Sequence, residues 1–287
     1  MNKKGGYIAI YAQGTQLKEL TAMQEWENPV NTIYNVDCFE LMGRMPTESV
    51  QLILTDPPYG IHYQNKFTSK KLPYLVGDTG IDYPAFAQQS YRILQNNSHA
   101  YFFTRFDKYP HHYECLVQAG FTVKNCLVIE KGQGGNTGDL YGGYANNCEW
   151  IIFCHKGRRI FNKTRLLKNT KPAGKSSSNR NPIEEYKTRF YCCWFGSDYP
   201  KSSYHPAWRM KQGFRHPTMK NVECLEWLIQ ISSNPGDIVF DPFMGSGSTA
   251  IAAINTGRAY LGSEIDASYY QLAQNRIAGA GNEIREL

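Results

Sequence analysis

From residue 31 onward the chain alternates short apolar runs with stretches of helical spacing. The pattern predicts a strand over 32–36, a turn or N-cap at Asp37, a short helix over 38–45 and a buried strand over 50–55 that stops at Asp56. Residues 61–79 are polar and irregular and read as a loop carrying Lys66, Lys70 and Lys71. A helix is expected over 83–94, strands over 100–104 and 126–130, and a helix over 108–119 between those strands. The glycine-rich 132–147 reads as a loop and 149–154 as a strand. Further on come a helix over 221–232, a strand over 237–240, a helix over 248–256 stopped by Gly257, a strand over 259–263, and a last helix capped by Asp266. Residues 1–30 show no clear pattern. Strands that alternate with helices predict an α/β domain with a mostly parallel sheet covered on both faces.

Composition narrows the class. The 287 residues, 41% of them hydrophobic, are enough to bury one full core plus an insertion. Eight cysteines without a Cys-x-x-Cys spacing point to reduced thiols in a cytoplasm, not to a secreted disulfide framework. No apolar run approaches the roughly 18 residues needed to span a bilayer, so no membrane partner is expected. The histidines are scattered and no His, Cys and acid cluster has ligand spacing, which leaves metal catalysis without support.

Charge sharpens the picture. The net +6 is unevenly spread: between Lys156 and Lys220 there are 16 Lys or Arg and three acids, so this stretch carries +13 and the remainder −7. Phe161, Tyr186, Phe190, Tyr191, Trp194, Phe195, Tyr199, Tyr204, Trp208 and Phe214 are interleaved with the basic residues. Phosphate contact combined with base or sugar contact calls for that mixture. A basic surface insertion with its own small aromatic core is the plainer alternative.

Two motifs carry chemistry. Gly245-x-Gly247-x-x-Ala250 follows a predicted strand and opens a predicted helix, with Glu264 19 residues after Gly245. This is the pattern of a turn that presents backbone N–H groups to a nucleotide-like ligand, followed by an acid for ribose hydroxyls. Alone it would suggest a nicotinamide oxidoreductase. Too little chain follows it, however, to complete a sheet, so the remaining strands must come from the N-terminal half, as in a circular permutation. The second motif, Asp56-Pro57-Pro58-Tyr59, ends a buried strand there. It offers a carboxylate, a carbonyl with no N–H beside it and an aromatic face; a plain strand-terminating turn is the other reading. No proline precedes a cysteine, so the thiolate needed for cytosine C5 methylation is not indicated.

In this order of motifs the chain resembles the β group of S-adenosylmethionine-dependent DNA amino-methyltransferases, over roughly 31–156 and 216–277. The resemblance implies a Rossmann-like S-adenosylmethionine-dependent methyltransferase fold with a circularly permuted, mostly parallel sheet and a basic target-recognition insertion. It divides the chain into an unassigned extension (1–30), a catalytic half (31–156), a target-recognition region (157–215) and a cofactor-binding half (216–287). It implies that Asp56, Pro57, Pro58 and Tyr59 act on the target base. It assigns Asp241, Phe243, Gly245, Ser246 and Gly247 to the methionine part of the cofactor, Glu264 to the ribose, and Asp37 with Cys38 to the adenine ring. The stretch His216-Pro217-Thr218-Met219-Lys220-Asn221 departs from the family's His-Pro-Thr-Gln-Lys-Pro, and places His216 and Lys220 near the cofactor.

Candidate DNA contacts are Lys66, Arg158, Arg159, Arg180, Arg189, Lys201 and Arg209. Asp at the head of the catalytic motif favours adenine N6, with cytosine N4 as the alternative. DNA is the expected partner, joined in some relatives by a restriction nuclease or a second copy of the chain. A catalytically silent nucleic-acid-binding relative is the reading from another class, and cofactor binding separates it from an enzyme.

Overall fold

The computed structural model describes residues 29–60, 80–130, 148–162, 193–195 and 219–285. Among these residues eight strands form one sheet: β1 (Thr32–Tyr34), β2 (Val50–Thr55), β3 (Leu94–Thr104), β4 (Thr122–Glu130), β5 (Cys148–Lys156), β6 (Cys193–Phe195), β7 (Ile238–Asp241) and β8 (Ala259–Ser263). Their spatial order is β1-β8-β7-β2-β3-β5-β4-β6. All pairings are parallel except those of β5, which runs antiparallel between β3 and β4.

Among the described residues six helices cover the sheet: α1 (Cys38–Arg44), α2 (Tyr83–Ile93), α3 (Tyr109–Ala119), α4 (Val222–Ser232), α5 (Ser248–Asn255) and α6 (Ala267–Arg285). Successive strand residues point to opposite faces, and the core divides accordingly. Leu52, Leu54, Tyr101, Phe103, Ile151, Phe153 and Val239 pack beneath α4, α5 and α6. Ile53, Ala100, Phe102, Ile152, Cys154, Ile238 and Phe240 pack against α1, α2 and α3. Strands buried on both faces read as the unbroken apolar runs seen in the sequence.

The connections place the site. From β7 the chain crosses through α5 to β8 on one side, whereas from β2 it crosses through α2 to β3 on the other, and the two helices lie on opposite faces. The strand order therefore reverses between β7 and β2. In open α/β sheets the crevice outside the carboxyl ends of such a strand pair is where ligands bind. β7 and β2 end in Asp241 and Thr55, and each leads straight into one of the two motifs. The permutation expected from the motif order is thus present as a direct pairing of Leu52 with Val239 and Ile53 with Phe240.

Two strands are longer than their apolar pattern predicts. β3 begins at Leu94, directly on the end of α2, and β4 begins at Thr122. The added stretches are polar, and their backbone groups pair along β2 and β5 without an apolar face to announce them. The basic segment is also less separate than its composition implies. Residues 193–195 pair with β4 at the sheet edge. At its start, Phe161 stacks on Phe153 at 5.3 Å, and the Asn162 backbone N–H donates to the Ile231 carbonyl at 2.8 Å. The loops expected at 61–79 and 132–147 lie outside the described residues, as do residues 1–28 and most of 163–218. Among the described residues no helix is long and apolar enough to cross a membrane and no His, Cys, Asp or Glu group could hold a metal; Cys38, Cys115, Cys154 and Cys224 are buried free thiols.

Candidate active site

The carboxyl ends of four neighbouring strands make a ledge. Along it, in the order β1, β8, β7, β2, stand Asp37, Glu264, the turn 241–247 and Asp56. Three inter-strand spacings, about 14 Å, separate its two ends.

Asp37 caps α1, its Oδ1 accepting the Phe39 N–H at 2.8 Å, and it is exposed. Glu264 is almost buried and accepts two backbone N–H bonds, Gly245 on Oε2 and Asp266 on Oε1, both at 2.8 Å. Burial raises its carboxyl above the ordinary glutamate value, and these bonds offset part of that rise. These N–H donors, with that of Ile265, leave part of the carboxylate's acceptor capacity open to a further donor. The residues therefore fit the vicinal hydroxyls of a ribose. The Gly247 backbone has φ 81°, a left-handed turn that lets α5 start directly after it. Its own N–H closes the turn on the Met244 carbonyl at 2.9 Å. Gly262 permits an even closer approach: a Cβ there would sit 2.1 Å from the Asp241 carbonyl oxygen.

At the other end of the ledge, Asp56 is part of a charged cluster. The Tyr59 hydroxyl donates to its Oδ1. Lys220 Nζ lies 2.7 Å from its Oδ2 and 3.3 Å from Glu149 Oε2. The ammonium also sits 4.5 Å above the centre of the Phe103 ring. Phe103 belongs to β3, the strand between those that carry Asp56 and Glu149, so Lys220 bridges across it. Burial works against the lysine charge, but the two carboxylates outweigh it and hold the group above the ordinary lysine range. Burial, and then the charge of Asp56, push the Tyr59 phenol well above its usual value, so it remains a neutral donor. Behind Tyr59, at 6.3 Å, lies the His112 ring, stacked on Tyr83 at 3.7 Å. Burial depresses His112 to about 4, which leaves it neutral.

Several expectations need correction. Asp241 was assigned to the cofactor, but only 3% of it is exposed and its oxygens are filled from within: Thr55 and Thr249 hydroxyls donate at 2.7 Å and the Phe243 N–H at 3.1 Å. It braces the two motifs against each other. Cys38 is 5% exposed and burial pushes its thiol up to about 12, so its side chain belongs to the core. Ser246 is turned inward onto Arg276, whose Nη1 donates to its hydroxyl at 2.9 Å and also to its carbonyl. Phe243 packs edge-on against Phe86 at 5.4 Å, half-buried beside the turn.

Pro57 is buried, while Pro58 and Tyr59 are partly open. Arg158 and Arg159 do not join the ledge. They follow β5, which ends at the opposite end of the strands because it runs antiparallel; the Arg158 N–H is held by the Asn97 side chain at 3.0 Å. At about 3.3 Å per residue, the run of β3 from Asn97 to Phe103 puts them about 20 Å from Asp56. Lys66, Arg180, Arg189, Lys201, Arg209 and His216 lie outside the described residues.

Sequence reasoning missed Thr55, Thr249, Glu149 and Arg276. Thr55 carried a signal, a polar residue closing an apolar run beside the motif. Glu149 carried none, because only the reversal of β5 brings it to this end of the sheet.

Comparisons with known proteins bear on the family and the fold. A family model described as DNA methylase matches residues 50–275. The DNA adenine methyltransferase YhdJ of Escherichia coli (strain K12) is 28% identical over 258 residues, which cover 87% of this chain and 83% of that protein. The crystal structure of the M1.HpyAVI–SAM complex has a TM-score of 0.59 at 22% identity, covering 85% of this chain and 98% of its own. PvuII DNA methyltransferase (cytosine-N4-specific) has a TM-score of 0.59 at 16% identity, covering 89% and 93%. The two structures share the fold.

Proposed function

The chain belongs to the N6/N4 DNA methylase family, whose model spans residues 50–275, and from that premise we propose that it transfers a methyl group from S-adenosylmethionine to the exocyclic N6 amine of an adenine in DNA. The observation that carries this reading is the order of groups along the ledge. Asp37, Glu264 and the glycine turn follow one another as adenine, ribose and methionine follow one another in an extended S-adenosylmethionine, and Asp56 stands on the adjoining strand end, on the side to which the methyl that branches from the sulfonium would point. A dinucleotide site would account for the first three and leave Asp56 and its cluster without a task.

The cofactor, when bound, supplies a methyl group made electrophilic by its sulfonium. What this chain's residues contribute is position and charge. An exocyclic amine is a poor nucleophile because its lone pair is delocalised into the ring. Asp56 and the Pro57 carbonyl accept its two hydrogens and draw the nitrogen toward a tetrahedral shape, with the lone pair aimed at the methyl. That lone pair forms the N–C bond while the C–S pair returns to sulfur. The nitrogen holds the positive charge until one of its protons leaves to the Asp56 carboxylate and then to solvent. Tyr59, held by its bond to Asp56, presents a ring on which an extruded base stacks.

Adenine is favoured over cytosine by the aspartate that heads the catalytic motif and by the adenine specificity named for the YhdJ relative. Cytosine N4 presents the same amino group and is the second reading. DNA is the macromolecular partner, and a cognate nuclease or a second copy of the chain is open to test by co-purification. The test of the reaction is transfer of labelled methyl to unmethylated DNA: it is expected with the wild-type protein and expected to be lost in Asp56→Ala, with S-adenosylmethionine binding retained.

A further inference from the structure

A side chain outside both motifs holds the ribose end of the ledge. β1 and β8 run parallel, and their ladder ends with Tyr34 level with Ser263. One more backbone bond follows, from the Glu264 N–H to the Tyr34 carbonyl at 2.9 Å. Beyond it the chain leaves β1 and turns into α1, with Asp37 as its cap. There the Asn35 side chain carries the contact forward: its Nδ2 donates to the Glu264 carbonyl at 2.7 Å and to the Ile265 carbonyl at 3.2 Å. The reverse orientation of the amide would set its oxygen against two carbonyl oxygens, so the donors must face this way.

These bonds fix the bridge of Glu264, Ile265 and Asp266 that joins β8 to α6. Glu264 is anchored through its N–H to Tyr34 and through its carbonyl to Asn35, while its carboxylate accepts from Gly245 and Asp266. Asp266 in turn caps α6, accepting the Ser268 N–H at 2.8 Å. The direction in which the Glu264 carboxylate offers its open acceptor capacity follows from that backbone, and hydrogen bonds to a bound sugar weaken when the acceptor is misplaced. Asn35 itself is exposed and contributes little to the core. It stands two residues before Asp37, so one side chain ties the stretch that carries Asp37 to the bridge that carries Glu264. We infer that Asn35 is a positioning residue for S-adenosylmethionine, aligning the Glu264 carboxylate with the ribose hydroxyls. The inference rests on the placing of that ribose at Glu264.

Asn35→Ala removes both donors from an exposed position. Titration calorimetry would measure S-adenosylmethionine binding to the wild type, Asn35→Ala, Glu264→Gln and the double variant, with thermal midpoints recorded alongside. Asn35→Ala is expected to weaken binding about 5- to 10-fold and to raise the cofactor KM by a similar factor, with kcat at saturating cofactor within about twofold. In the Glu264→Gln background the same substitution is expected to cost less than about twofold, because the group that Asn35 aligns is already altered. Wild-type affinity in Asn35→Ala overturns the inference, even with a lowered thermal midpoint. So does an equal loss in both backgrounds, which would mean that Asn35 acts without Glu264. If Asn35→Ala fails to fold, Asn35→Asp decides: it keeps the shape but turns a carboxylate toward two carbonyls. A loss of at least about tenfold in cofactor affinity then supports the inference, and wild-type affinity overturns it. A Glu264→Gln protein that binds S-adenosylmethionine as the wild type does would instead sink the placing of the ribose, and the inference with it.

Discussion

The Thr55 hydroxyl donates to Asp241 Oδ1 at 2.7 Å, joining residues 186 positions apart. Thr55 is the last residue of β2, next to the catalytic motif, and Asp241 is the last residue of β7, next to the glycine turn. One buried bond thus ties the strand end that leads into Asp56 to the strand end that leads into the glycine turn. Thr55→Val keeps the shape but leaves the buried carboxylate one donor short. That should cost about 1–3 kcal/mol of stability and lower the thermal midpoint, and Thr55→Ser should restore most of it. Unchanged stability in Thr55→Val would mean that the bond braces nothing.

Asp241 also gives the protein a pH signature. Burial raises its carboxyl to about 6, against the partial offset of the Thr249 and Thr55 hydroxyls and the Phe243 N–H. The folded state therefore binds a proton more tightly than the unfolded chain does. Between about pH 4 and pH 6 this residue's contribution to stability declines as pH rises, by a total on the order of 3 kcal/mol. Above that window both states are ionised and the penalty is constant. Denaturant titrations across this range should show a stability difference between Asp241→Asn and wild type that shifts toward the variant as pH rises. A difference independent of pH would contradict the raised value.

Glu264 should control cofactor affinity without touching DNA. Its carboxylate accepts from both Gly245 and Asp266, whereas a glutamine has a single acceptor oxygen and must aim its NH2 at one of those donors. Glu264→Gln is expected to weaken S-adenosylmethionine binding about 10- to 100-fold, as read by titration calorimetry, with DNA affinity unchanged.

Two glycines should differ in what they tolerate. Gly247→Ala must adopt φ 81° and place its Cβ 3.1 Å from that of Ala273, a strain of about 1–2 kcal/mol that the helix contact can partly absorb. Gly262→Ala meets backbone: the Asp241 carbonyl oxygen at 2.1 Å and the Met244 methyl at 2.6 Å. β7 and β8 would have to separate where the glycine turn begins. Gly262→Ala should therefore lower the thermal midpoint more than Gly247→Ala, and equal midpoints would argue against this packing.

Much of this was legible in the chain. The buried strand at Val50–Thr55, the strand at Ala259–Ser263 and the caps Asp37 and Asp266 follow from apolar runs and side chains that satisfy open helix ends. That strands of the N-terminal half complete the sheet beside the glycine turn followed from motif order; the direct pairing of β2 with β7 did not. Two kinds of feature were hidden. Polar stretches such as 94–99 join the sheet through backbone pairing, which leaves no periodic mark. The direction of β5 decides which end of the sheet its residues reach, and that brought Glu149 to the site and carried Arg158 away from it. Asp241 was misread for a related reason: a carboxylate beside a ligand turn can face the ligand or the core, and only Thr55 and Thr249 show which.

The central claim is methyl transfer to an exocyclic amine governed by Asp56. It is tested most directly by incubating the protein with labelled S-adenosylmethionine and unmethylated DNA, digesting to nucleosides and identifying the product by mass spectrometry, with Asp56→Ala alongside. Label in N6-methyladenine, absent from the Asp56→Ala reaction, is the predicted result; N4-methylcytosine would keep the chemistry and change the base. Label in neither nucleoside, from a protein that binds the cofactor, would contradict the claim.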